Sequence, residues 1–153
     1  MSYSSQKGYK GEVEAANFFD SLVKPIHHIC HIGGIESRKM VLSGDVAVLS
    51  SCKKHRFKGQ FDPKECPFYD YFIEVKCQNR PNIWKDFEKA ENDANLAGKW
   101  GVIGYFIKQS TKKGQRGGDW RNFQGKRLIV MTPETFSKFF KNYEIPNSSQ
   151  NKT

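Results

Sequence analysis

Residues 71–77 read Tyr-Phe-Ile-Glu-Val-Lys-Cys. Aromatic and β-branched residues dominate the run and predict a strand, yet two charges stand inside it. Side chains alternate across a strand, so Glu74 and Lys76 point one way and Val75 the other. A carboxylate and an ammonium in a mostly buried strand are costly unless they have partners or chemistry to perform. Upstream, residues 39–49 (KMVLSGDVAVL) also read as a strand, interrupted at Ser43-Gly44, and set Asp45 directly before Val46-Ala47-Val48. If that segment lies beside 71–77, Asp45 and Glu74 converge on one hard cation. Mg2+ suits such a site, because it needs few carboxylates, keeps several waters and shares phosphate oxygens of a substrate. Lys76 would then orient or deprotonate a water and offset phosphate charge. The competing reading is a plain ion pair of Glu74 with Lys76 or Asp45.

The flanking elements follow from periodicity. Val13, Ala16, Phe19 and Val23 recur at helical spacing over residues 12–23, with Leu22 beside them, and Lys24-Pro25 ends the helix. Residues 26–32 form a short β-like run stopped by Gly33-Gly34. A polar insertion with prolines fills about 50–70. A second helix is expected over 84–97, with Trp84, Phe87, Ala90, Ala94 and Ala97 on one face and Gly98 as its cap. Residues 101–107 and 127–131 read as strands. Thr132 as N-cap and Pro133 at the first position open a last helix, with Phe136, Phe139, Phe140 and Tyr143 expected on its inner face. The order α-β-β-β-α-β-β-α predicts one α/β domain over residues 1–145, a central mixed β-sheet flanked by helices. Residues 146–153 form a polar tail, and no internal repeat is seen.

The chain has 153 residues with 25 Lys and Arg against 16 Asp and Glu, a formal charge of +9. Its 37% hydrophobic content and 12 Phe argue against a disordered polypeptide. No run approaches the ~20 apolar residues of a membrane span, and the first residues lack the apolar core of a signal peptide. A cytoplasmic protein is therefore expected. Most of the positive surplus falls between residues 108 and 127, where seven Lys and Arg face Asp119 alone. This stretch, about 108–126, interleaves Lys112, Lys113, Arg116 and Arg121 with four glycines, Trp120 and Phe123. Cations that neutralise phosphates, with flat side chains that stack on bases, point to a nucleic-acid surface. A second basic knot is Lys53, Lys54, Arg56 and Lys58.

Four cysteines occur, at 30, 52, 66 and 77, and no disulfide is expected. Cys52, His55 and Cys66 offer a structural Zn2+ set, but with only one close pair it ranks behind buried or free thiols. His27, His28 and His31 cluster with Cys30; hydrogen-bonded strand histidines are the leading reading, a metal or proton-shuttling role the other.

Asp45 followed by Glu74-Val75-Lys76 resembles the PD-(D/E)xK nuclease signature, and the similarity is closest to archaeal-type Holliday junction resolvases. Those enzymes open with a basic residue and Gly before a Glu on the first helix, matched here by Lys7-Gly8-Tyr9-Lys10-Gly11-Glu12. Arg38, Ser43 and Asp45 then follow in the family's order, and the Glu-Val-Lys strand, a helix and a hydrophobic strand come next, over most of residues 7–131. The resemblance implies a restriction-endonuclease-like fold. It implies that Glu12 reaches the metal directly or through water, that Asp45 and Glu74 are ligands aided by the Val75 carbonyl, and that Lys76 is the catalytic lysine. Lys7, Lys10, Arg38 and Ser43 would bind DNA, together with Lys112, Lys113, Arg116 and Arg121 of the basic loop. Glu14, two positions from Glu12, faces elsewhere. The implied activity is a Mg2+-dependent endonuclease, with Mn2+ able to substitute, acting on branched DNA as a homodimer in DNA recombination and repair. Compact size suits a phage or mobile element, which would put it in a host cytoplasm. Gly44 departs from the Pro or apolar residue usual before the Asp, and the 28 residues between Asp45 and Glu74 exceed the usual hairpin. The alternatives are another nuclease of the superfamily, of restriction or repair type, and a non-catalytic nucleic-acid-binding module.

Overall fold

The computed structural model describes residues 3–24, 26–31, 44–49, 51–52, 57–59, 62–108 and 126–142. The elements are α1 (Tyr3–Val23), β1 (His28–His31), β2 (Val46–Leu49), β3 (Ser51–Cys52), β4 (Phe57–Lys58), a 3-10 turn (Pro63–Glu65), β5 (Tyr71–Gln78), α2 (Ile83–Leu96), β6 (Gly101–Lys108), β7 (Arg127–Val130) and α3 (Pro133–Asn142). Among the described residues the expected order is recovered, with α1 extending well upstream of residue 12 and the strand expected over 39–49 seen as Val46–Leu49; residues 39–43 lie outside the described residues. The insertion adds the β3–β4 ladder and the turn, and its end supplies Cys66 and Phe68 to the core.

β5 and β6 run parallel, joined through α2, and β7 returns antiparallel to β6. β1 and β2 form an antiparallel pair, attached to β5 by a single parallel bridge between Gly44 and Ile73. The result is a small mixed sheet flanked by helices.

Alternation along β5 sorts the two cores. Tyr71, Ile73 and Val75 pack with Ala15, Ala16 and Phe19 of α1, alongside Ile103, Tyr105 and Ile107 of β6. Phe72, Val102 and Phe106 pack with Phe87, Ala90 and Ala94 of α2 on the opposite face. Glu74 and Lys76 therefore fall on the α2 side, as their spacing requires. Asn82 caps α2, its side chain accepting from the Lys85 N–H at 3.2 Å. The helix ends in a Schellman motif, with Gly98 at φ 69 and bonds from Gly98 N to Asn95 O and from Lys99 N to Ala94 O. Thr132 caps α3 by accepting the Thr135 N–H at 3.1 Å.

Two inner faces differ from the sequence expectation. The buried stripe of α2 begins at Ile83, which packs against the Phe72 cluster, and Trp84 is 82% exposed. Ile83, Phe87, Ala90, Ala94 and Ala97 keep the same helical spacing, whereas Trp84 stands one helical step to the side. On α3 the inward residues are Thr135 and Phe139, while Phe136 and Phe140 are 56% and 58% exposed and stack on each other. Tyr143 lies outside the described residues.

Gly11 sets how closely α1 approaches the sheet. A Cβ there would stand 2.9 Å from Cys77 Cβ and 3.4 Å from Ile107 Cδ1, so only a residue without a side chain allows this contact. Gly11→Val is expected to cost about 1–3 kcal/mol through overpacking, read as a lower urea midpoint with an unchanged m-value.

Candidate active site

The site is built where β2 meets β5. Gly44 adopts φ 84, and a Cβ on it would lie 2.2 Å from the Ile73 carbonyl oxygen. Glycine is thus required both by the left-handed backbone and by the close passage of two main chains. Its successor, Asp45, donates its N–H to Ile73 O at 2.9 Å. The Asp45 Oδ2 accepts the Val75 N–H at 2.7 Å. Asp45 therefore takes the place of a ladder partner on the β2 side of β5 and stands beside Glu74 and Lys76.

The electrostatics are unequal. The Asp45 carboxyl is pushed up to about 7, chiefly because it is withdrawn from water and then because the Glu74 carboxylate is close; the Val75 N–H opposes this, Glu12 adds to it and Lys76 opposes it. Glu74 is buried, and its register partner across the ladder is Gly104, beside which the Phe106 ring fills the side-chain space. Lys76 Nζ meets Glu74 Oε1 at 2.6 Å. Burial would lower the Lys76 ammonium, but Glu74, Asp45 and Asp86 around it prevail and hold it above its ordinary value. Lys76 is thus a fixed positive charge among acids.

Glu12 contributes from α1, one residue after Gly11. Its Oε2 accepts from His31 Nε2 at 2.5 Å, and its charge is felt at Asp45. Among the described residues no three His, Cys, Asp or Glu side chains gather into a ready metal cage. The arrangement brings together Asp45, Glu74 and Lys76 and turns Glu12 toward His31.

Glu14 faces another way, as its position two residues on predicts. It accepts from Arg127 Nε at 2.8 Å, from Arg127 Nη2 at 3.0 Å and from the Tyr105 hydroxyl at 3.0 Å. The Arg127 and Tyr105 hydrogen bonds, with Arg127's charge, outweigh desolvation and hold the Glu14 carboxyl low. Arg127, counted in sequence with the basic surplus, is committed to this bond. Lys10 lies on α1 near Glu12 and is half-buried. The side chain of Lys7 and residues Arg38, Ser43, Lys112, Lys113, Arg116 and Arg121 lie outside the described residues.

His28 Nδ1 meets Asp20 Oδ1 at 2.8 Å, and the same oxygen accepts the Ile29 N–H at 2.9 Å. His28 and His31 are therefore strand histidines tied to carboxylates of α1. Cys66 is buried in the α1-side core with its thiol pushed up to about 11 by desolvation, a poor start for a thiolate ligand; His55 and the Cys52 side chain lie outside the described residues.

Two residues of the site escape the sequence reading. Asp86 of α2 bears on Lys76, and its only signal was its place one residue before the buried Phe87. His31 was visible in the histidine cluster, without a partner to assign it.

Comparison with family models, with curated proteins and with solved structures finds no match to this chain. Among the described residues no helix is long and apolar enough to cross a membrane.

Proposed function

We propose that the chain is a metal-dependent DNA endonuclease of the PD-(D/E)xK type, with a restriction-endonuclease-like fold. It resolves four-way (Holliday) junctions as a homodimer by paired phosphodiester hydrolysis. The observation that supports this reading is the Asp45 carboxyl, half-buried beside Glu74 at the β2–β5 junction and raised to about 7 chiefly by its withdrawal from water and then by the Glu74 carboxylate. Two adjacent carboxylates, Asp45 and Glu74, are a donor set suited to a hard divalent cation that retains most of its waters.

Asp45 and Glu74 would hold Mg2+, or Mn2+ in its place, with the Val75 carbonyl as a further oxygen donor. When bound, the ion supplies Lewis acidity toward the phosphate and a more acidic water. Lys76, kept protonated by Glu74, acts as a charge and not as a proton acceptor: it offsets negative charge that builds on the phosphate oxygens. Hydrolysis forms a bond from water oxygen to phosphorus and breaks the bond to the 3′-oxygen, leaving a 5′-phosphate and a 3′-hydroxyl. Lys7, Lys10, Arg38 and Ser43, with Lys112, Lys113, Arg116 and Arg121, supply the phosphate contacts that grip the junction arms.

One observation favours a second reading, a non-catalytic nucleic-acid-binding module. Glu74 and Lys76 already form a 2.6 Å ion pair and satisfy each other without a metal. A substrate panel separates the two. Four-way junction, flap, duplex and single strand are incubated with the protein in Mg2+ and in EDTA. The nuclease reading expects symmetric nicks in the junction in Mg2+ only. Salt-sensitive binding to all four without any cleavage supports the module, and sequence-specific duplex cutting supports a restriction-type enzyme.

A further inference from the structure

The histidine cluster of residues 27–31 is left unused by the reading above, yet one member stands against the site. His31 closes β1 and pairs in register with Val46, the residue after Asp45. Its side chain is only 8% exposed, and Nε2 donates to Glu12 Oε2 at 2.5 Å. The Tyr9 ring meets the imidazole edge-on at 5.0 Å between centroids. The imidazole is therefore gripped from two sides by residues of α1. Gly11 seats the backbone of this turn of α1 almost directly on Cys77 of β5, and the Glu12 charge is felt at Asp45.

The α1 residue Glu12 and the β1 residue His31 thus meet directly, next to the chain that enters β2 at Asp45. A carboxylate on a helix has several rotamers, and pinning it costs side-chain entropy. A buried donor fixed by β1 and Tyr9 meets that cost in advance. Carboxylates at metal centres depend in this way on a hydrogen-bonding partner behind them.

We infer that His31 is a positioning residue of the cation site, fixing the Glu12 carboxylate so that its charge adds to that of Asp45 and Glu74. The inference rests on the nuclease reading of that site. It assigns His31 no contact with DNA or with the reacting phosphate. Imidazole Nε2 is the working atom, so glutamine, whose amide nitrogen reaches the same position, is the conservative replacement.

The test is Mn2+ binding by isothermal titration calorimetry at neutral pH without DNA, on wild type, His31→Ala, His31→Gln, Glu12→Gln, the double variant His31→Ala with Glu12→Gln, and Asp45→Asn. His31→Ala and Glu12→Gln are each expected to weaken Mn2+ by about 10–100-fold, the double variant no further, and His31→Gln to recover most of the loss. Wild-type affinity in His31→Ala, or tighter binding, overturns the inference while Asp45→Asn still abolishes binding. Should His31→Ala fail to fold, wild-type affinity in Glu12→Gln overturns it equally. If Asp45→Asn binds Mn2+ as wild type does, the underlying cation site itself fails.

Discussion

Asp45→Asn is expected to be more stable than wild type in the absence of metal and to cut DNA at least ~100-fold more slowly. Asparagine keeps an oxygen for the Val75 N–H, so the 2.7 Å bond to β5 is retained. What is lost is a negative charge held away from water beside Glu74. The sign of the pH dependence follows. The folded carboxyl at about 7 lies above its unfolded value of 3.8, so the native state binds the proton more tightly. Its contribution is full below about pH 4 and is lost as pH rises through about 7. At pH 8 the substitution should stabilise by about 1–3 kcal/mol, less than the full displacement implies because the group is only half-buried. That is about 2–4 °C per kcal/mol in melting temperature. The gain should shrink at pH 5, and Mg2+ should raise the melting temperature of wild type but not of the variant. Equal melting temperatures of the two proteins across this range would show that Asp45 carries no strained charge.

Gly44→Ala is expected to damage fold and site together. Alanine at φ 84 costs about 1–2 kcal/mol for its backbone alone. Its Cβ would also lie 2.2 Å from the carbonyl oxygen of Ile73, a buried residue of β5 held in the ladder with β6, whose backbone cannot swing away. The bridge must open, taking with it the Asp45 N–H bond to Ile73 and the aim of Asp45 at Val75. A total loss of about 2–4 kcal/mol is expected, with Mg2+ no longer raising the melting temperature. A variant that keeps both wild-type stability and the Mg2+ response would show that the close β2–β5 passage does not build the site.

The glycine before Asp45 thus has a physical cause, two main chains passing too close for a side chain. Much of the framework was legible. β5 announced itself by composition, and period-two alternation placed Glu74 and Lys76 on one face without any knowledge of what covers them. The caps of α2 and α3 were readable at Gly98 and Thr132 because capping is local chemistry. The errors arose where a face must be oriented in space. Periodicity grouped Trp84 with Phe87 and Phe136 with Phe139, but which sector of a helix turns inward depends on the surface it meets. Apart from the approach of Asp45 to Glu74, contacts between residues far apart in sequence were not legible. Nothing local pairs Glu14 with Arg127, or Glu12 with His31, because those bonds exist only once α1 lies across the sheet.

The central claim, that Asp45 and Glu74 form the cutting centre, is tested most directly by mapping products on an end-labelled, fixed-core four-way junction in Mg2+, wild type beside Asp45→Asn. The account predicts paired nicks in opposite strands, ending in 5′-phosphates, for wild type, and at least a ~100-fold slower reaction for the variant. Two folded proteins equally inert toward this junction, or cutting it equally fast, would contradict it.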